Sequence, residues 1–167
     1  MDGARSGAVT SFMVKLAEST HVLRIPVSGP LGRACRLRLL LVDASVDFLL
    51  AERSYFSLDE RIQLVGHACT CEEAIDATVR TAPDLVIVDL LVPSAGGLEL
   101  ATRIRCLQPH ATILVTAVRE GVEYARAARA AGADGFVSKA AFCAEMDVLL
   151  AGLYDRRLAH ACEVLAA

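Results

Sequence analysis

The sequence predicts an α/β fold, a five-stranded parallel sheet with helices on both faces. Two observations carry that expectation. From Leu37 onward, short apolar runs alternate with helix-length amphipathic stretches, the pattern of parallel strands joined by crossover helices. The clearest run, Leu85 to Val88, is apolar throughout and lies between Pro83 and the group Pro93, Gly96 and Gly97. A short apolar run bounded by turn residues reads as a strand buried on both sides. Right-handed crossovers leave few topologies, and the doubly wound, flavodoxin-like order 2-1-3-4-5 is expected.

Each element has its own signal. Leu37 to Val42 is the first strand and ends at Asp43; Ser45 to Phe56 has the apolar spacing of a helix. Ile62 to Ala68 is the second strand. Thr70-Cys71-Glu72-Glu73 then forms a capping box for a helix reaching Thr81, in which the threonine hydroxyl accepts an orphan amide and Glu73 reaches back. Asp84 to Asp89 is the third strand, Gly97 to Leu107 the third helix, and Pro109 closes that helix. Ala111 to Thr116 is the fourth strand and Arg119 to Ala131 the fourth helix. The turn Gly132-Ala133-Asp134-Gly135 leads into a short fifth strand, Phe136 to Ser138, and Ala140 to Leu153 is the fifth helix.

The chain divides into an N-terminal extension and linker (1–36), the α/β domain (37–153) and a C-terminal helical extension (154–167). Within the extension, Val9 to Val22 has room for one helix and Gly29-Pro30-Leu31-Gly32 reads as linker. With 54% apolar and 22% charged residues the composition is globular. A formal net charge of −3 provides no general basic field, so no direct nucleic-acid contact is expected. No secretory signal is evident, and no apolar run reaches the roughly 18–20 residues of a membrane span. Six scattered cysteines without framework spacing suggest a cytoplasmic protein with reduced, mostly buried thiols. His67, Cys69 and Cys71 lack a second ligand pair, so they read as a strand end entering a helix cap rather than a zinc clip.

In open parallel sheets, chemistry gathers at the carboxyl ends of the strands. The residues at or just after those ends are Asp43, Asp89, Thr116 and Lys139. A carboxylate can attack a phosphoryl group to form an acyl phosphate. A lysine and a hydroxyl can hold the phosphoryl oxygens, and a divalent cation between carboxylates would offset their repulsion for the donor.

Over about Leu37 to Leu153 the chain resembles the receiver domains of two-component response regulators. The matching pieces are V-D-A-S at Val42 to Ser45 and P-D-L-V-I-V-D-L-L-V-P-S-A-G-G-L-E at Pro83 to Glu99, with V-T-A at Val115 to Ala117 and G-A-D-G-F-V-S-K at Gly132 to Lys139. V-G-H-A-C-T-C-E-E-A at Val65 to Ala74 is similar to the subfamily that often carries a DNA-binding output. The resemblance implies that Asp89 is the phosphoacceptor, that Thr116 and Lys139 contact the phosphoryl group, and that Phe136 is a switch aromatic. It implies Mg2+ held by Asp43, Asp89 and the backbone carbonyl of Leu91. The implied partners are a histidine kinase or a histidine phosphotransfer protein. The fourth helix, fifth strand and fifth helix would form the signalling or homodimer face; Arg119, Arg126 and Arg129 of the fourth helix read most simply as a solvated basic face, with a part in that surface as the alternative.

The departure is Ala44, where the family normally has a second acid that binds the metal directly. Weak Mg2+ binding and slower phosphotransfer are expected. Asp47, one turn further on, reads as a solvated residue at the helix start. Leu91 and Val118 are apolar where receivers often carry groups that orient a hydrolytic water, so slow self-dephosphorylation is expected. The leading reading is a phosphorelay receiver; the alternative is a pseudo-receiver that binds proteins without phosphorylation. An aspartyl phosphatase would want an acid at Leu91 and a phosphate-cradling glycine loop, so no enzyme is expected. With no room for a helix-turn-helix after the fifth helix, the chain is expected to be a single-domain regulator or a piece of a longer one.

Overall fold

The structure, a computed structural model, describes residues 36–166. The helix and linker expected within residues 1–35 lie outside the described residues. Five strands form one parallel sheet in the order β2-β1-β3-β4-β5: β1 Leu37–Val42, β2 Ile62–Ala68, β3 Leu85–Asp89, β4 Thr112–Ala117 and β5 Gly135–Ser138. The helices are α1 Val46–Ser57, α2 Cys71–Thr81, α3 Gly97–Leu107, α4 Val122–Ala130 and α5 Phe142–Ala166. This is the doubly wound α/β architecture, in the expected strand order.

Strand alternation divides the interior in two. Leu39 and Leu41 of β1 and Ile87 of β3 face a cluster completed by Leu49 and Phe56 of α1 and by Phe142, Met146 and Leu150 of α5. Leu40, Val42, Val86 and Val88 face the opposite side, packed by Ala74 and Ala77 of α2 and by Leu100 and Ile104 of α3. The central strands are therefore apolar on both faces, whereas edge strand β2 exposes Gln63 and His67.

The helix starts follow the capping chemistry. Ser45 caps α1 by accepting from the Phe48 amide at 3.3 Å. Thr70 caps α2 through the Glu73 amide, while Glu73 reaches back to the amide of Cys69, one residue beyond the cap. Helix α2 ends at Thr81 as expected, and Ala82 caps it: it takes a left-handed conformation with φ 41° and donates to the Thr78 carbonyl.

Four expectations are corrected. Helix α4 begins at Val122, so Arg119 lies in the β4–α4 loop, where Glu120 is tied to Ser138. Strand β4 is shifted one residue toward its carboxyl end. Helix α5 starts at Phe142, after the 138–141 turn, rather than at Ala140; its run to Ala166 makes the C-terminal helical extension a continuation of the last helix. Cys71 is buried, but Cys106 and Cys143 are exposed on the outer faces of α3 and α5, so the described thiols are not mostly buried.

Gly97 joins the fold to the strand edge. Its amide donates to the Leu90 carbonyl at 3.0 Å. A Cβ there would lie 2.3 Å from the Asp89 carbonyl oxygen and 2.8 Å from the Leu90 Cα. Both neighbours are backbone, so relief requires moving the end of β3 or the start of α3. Gly97→Ala is expected to cost about 2 kcal/mol or more, read as a lower urea midpoint at unchanged m-value. An unchanged midpoint would refute the close-approach role.

Candidate functional site

Asp43 follows β1, Asp89 ends β3 and Lys139 follows β5, so the order β1-β3-β4-β5 brings them to one edge. Both acids are buried, Asp43 1% exposed and Asp89 5%. The Lys139 ammonium lies 2.5 Å from Asp43 Oδ2 and 2.9 Å from Asp89 Oδ1. The remaining oxygens are also engaged: the Ser45 amide donates to Asp43 Oδ1 at 2.7 Å and the Leu91 amide to Asp89 Oδ2 at 3.2 Å. Burial disfavours the charge on Lys139, but the hydrogen bonds to Asp43 and Asp89 outweigh that, and its pKa is raised above the usual lysine value. Its ammonium also lies 4.3 Å from the centre of the Phe48 ring, a cation–π contact from α1.

Two backbone bonds set the edge. The Lys139 amide donates to the Ala117 carbonyl and the Leu90 amide to the Thr116 carbonyl, each at 2.8 Å. Thr116 is fully buried and its hydroxyl has no hydrogen-bond partner. An orphan hydroxyl beside paired acids is a donor waiting for an acceptor. Phe136 is half-buried and stacks on Tyr124 of α4, centroids 6.1 Å apart and planes at 14°. Thus four of the expected side chains, Asp43, Asp89, Thr116 and Lys139, share the edge, while Phe136 lies on β5 beside Val115 of β4 and stacks against Tyr124 of α4. Asp47 and Ala44 are exposed, and Asp47 stays in the first turn of α1.

The rim is apolar. Leu91 is 73% and Val118 70% exposed. With Leu90, Ala117, Arg119 and Tyr124 they line a cavity of about 360 Å³ beside the acid. Arg119 is there because it belongs to the loop rather than to α4.

The sequence reading missed Glu52. This residue of α1 is 2% exposed, and neither carboxylate oxygen has a hydrogen-bond partner. Burial first, then the charge of Asp43, pushes its pKa up to about 8; Lys139 pulls it down and Asp89 adds a smaller upward push. The available signal was its position: Glu52 is three residues after Leu49 and four before Phe56, within the buried stripe of the helix.

The fold and its acidic edge define a doubly wound α/β domain of the two-component signalling class. The chain belongs to the response regulator receiver domain family, which matches residues 39–150. It is 38% identical over 100 residues to the Fimbriae Z protein of Salmonella typhimurium strain LT2, covering 59% of this chain and 44% of that one. The chain spans under half the length of the curated relatives it matches. Among solved structures, a LuxR-family two-component response regulator from Aurantimonas sp. SI85-9A1 aligns with a TM-score of 0.63 at 30% identity, covering 70% of this chain and 86% of that one. A CheX-CheY complex with BeF3 and Mg2+ from Borrelia burgdorferi aligns at 0.58 and 21% identity, covering 62% and 78%, a likeness of fold.

Receiver domains generally bind Mg2+. Here Asp43 and Asp89 at the strand edge offer the carboxylate oxygens that a hard divalent cation takes. No ready cage exists: among the described residues no three Asp, Glu, His or Cys side chains converge, and the Lys139 ammonium fills the gap between Asp43 and Asp89.

The raised pKa of Glu52 has a definite sign in stability. The folded chain holds this proton up to about pH 8, whereas the unfolded chain releases it near pH 4.5, so stability falls as pH rises through that window. Glu52→Leu is expected to stabilise the protein by roughly 3 kcal/mol more at pH 8 than at pH 5. Urea unfolding at the two pH values measures this; equal gains would contradict it.

Proposed function

We propose that this domain is a phosphorelay receiver that accepts a phosphoryl group on Asp89 from the phosphohistidine of a histidine kinase or histidine phosphotransfer protein. The observation that carries the reading is the Lys139 ammonium bridging Asp43 and Asp89 at the strand edge, beside the unpartnered hydroxyl of Thr116. An Asp89 carboxylate oxygen attacks phosphorus and the phosphorus–nitrogen bond breaks. The histidine ring keeps the electron pair, and an acyl phosphate remains. Lys139 and Thr116 hold the phosphoryl oxygens, and the Leu91 amide steadies the carboxylate. Charge neutralisation between the two anions is what Mg2+ supplies when bound at Asp43, Asp89 and the Leu91 backbone carbonyl. With Ala44 in place of a direct ligand, that binding is weak.

Phosphorylation then alters the face made by α4, β5 and α5. Phe136 acts as the switch aromatic, and its stack on Tyr124 couples it to α4. Exposed Val122, Arg126 and Arg129 of α4 and Val148 of α5 suit a downstream partner or a second copy of the chain. No described helix is long and apolar enough to cross a membrane; the protein works in the cytoplasm, without enzymatic turnover or direct nucleic-acid contact.

Ala44 favours a second reading, a pseudo-receiver that binds proteins without phosphorylation. Acetyl phosphate with Mg2+ separates the two. The receiver reading expects a gain of one phosphoryl mass that Asp89→Asn abolishes and Ala44→Asp accelerates at least about tenfold. No gain in the parent at saturating donor and Mg2+ would favour the pseudo-receiver.

The apolar rim predicts a long-lived product, since Leu91 and Val118 cannot orient a hydrolytic water. Val118→Glu is expected to shorten the phosphoryl lifetime by at least about tenfold. Decay of the labelled protein, followed by mass spectrometry, measures this; loss within seconds in the parent would refute it.

A further inference from the structure

Among the described residues, Phe48 is the ring that meets the lysine of the site, its centroid 4.3 Å from the Lys139 ammonium. Its place is fixed from two sides. The residue lies in the first turn of α1, where its amide donates to the Ser45 hydroxyl at 3.3 Å. The half-buried ring meets that of Phe142 at the start of α5, centroids 5.6 Å apart and planes at 86°. Phe142 is buried and is itself packed by Tyr55 and Phe56, with centroids at 5.7 Å and 6.0 Å. The Tyr55 hydroxyl donates to the Asp147 carboxylate of α5, which adds a polar link between the same two helices. Near-perpendicular rings at such separations are a favoured arrangement of aromatic pairs. The plane of Phe48 is therefore set by the cluster behind it, and the lysine meets a platform already in place.

We propose that Phe48 is a positioning residue for Lys139, its ring face holding the ammonium at the acid pair and within reach of an incoming phosphoryl group. The phosphoryl part of this rests on the reading of Asp89 as phosphoacceptor. An ammonium has three donors, and the carboxylates of Asp43 and Asp89 engage it at 2.5 Å and 2.9 Å. The first turn of a helix is an unfavourable place for a cation, because the unpaired amides there carry partial positive charge. The negative face of an aromatic ring offsets that effect. A third acid in the same place would also hold the lysine, but it would repel the phosphoryl donor and compete with its oxygens for the ammonium. A leucine would fill the space and attract no cation. The ring attracts the ammonium without net charge, and it leaves the donors free to pass from a carboxylate to the phosphoryl oxygens.

The test replaces Phe48 in the full 167-residue chain by phenylalanines bearing one, two and three ring fluorines. These keep the shape of the side chain while draining the negative charge from its face. Two quantities are followed: solvent exchange of the Lys139 ammonium protons by NMR, assigned by their loss in Lys139→Met, and the rate of Asp89 labelling by acetyl phosphate with Mg2+. Exchange is expected to quicken and labelling to slow with each fluorine, labelling by at least about fivefold at three, the scale of a partly desolvated cation–π contact. Phe48→Leu is expected to slow labelling at least as much. Three fluorines on Phe142, which packs in the same cluster, are expected to change both less than twofold. A labelling loss under twofold at Phe48, or an equal loss from Phe142, overturns the proposal, because a packing role responds to shape and not to ring charge. Unchanged ammonium exchange overturns it whether or not the protein labels. Labelling that is normal in the parent and in the fluorinated series removes this inference and leaves the receiver reading standing. A parent that never labels, with ammonium exchange that follows the fluorines, removes the receiver reading and leaves the positioning of Lys139 by Phe48.

Discussion

The edge of the sheet depends on one ammonium group. Asp43 and Asp89 come from adjacent strands, both almost without solvent, and without compensation they would repel across a few ångströms. Lys139 answers both at once, with Nζ 2.5 Å and 2.9 Å from the two carboxylates. It can do so because its amide is held to the Ala117 carbonyl and its ammonium rests on the Phe48 ring. Removing one member of such a buried arrangement typically costs about 3–5 kcal/mol, since the others are left charged and unpaired. The lysine thus ties β1, β3 and the start of α5 together, and any cation or phosphoryl group entering the site competes with it.

Around that bridge the site is built against the interests of the core. Glu52 occupies a position in the buried stripe of α1 where Leu49 and Phe56 are its neighbours in spacing. A leucine there would contribute about 2 kcal/mol of burial, whereas the acid carries a pKa near 8 and no hydrogen bond. The orphan hydroxyl of Thr116 is a second local deficit on the same edge. The Thr116 hydroxyl lies beside Asp89, and a donor of that kind is satisfied by an acceptor oxygen.

The rim has the opposite character. Leu91 and Val118 stand exposed on either side of the acid, and Arg119 extends from a loop that the Glu120–Ser138 hydrogen bond ties to the end of β5. That tether links the loop after Thr116 to the residue before Lys139.

The strand ends were legible because a parallel sheet places its chemistry at a topologically defined edge. Apolar runs located Asp43, Asp89 and Thr116, while apolar spacing located α1 and a capping box located α2, each to within a residue. The start of α4 was less legible, since Arg119 and Glu120 have helix-forming side chains, whereas in the structure Gly121 caps the helix and the Ser138–Glu120 hydrogen bond ties the preceding loop to β5. The exposure of Cys106 and Cys143 was likewise decided by which helix faces met the sheet. By itself the sequence determined the strand order, the acids and the lysine, because short-range pattern and chain topology suffice for those. Only the tertiary structure decided that Lys139 bridges both acids, that Thr116 is unpartnered and that Glu52 is buried beneath the site. Those properties arise from the distance and solvent exclusion between segments far apart in the chain.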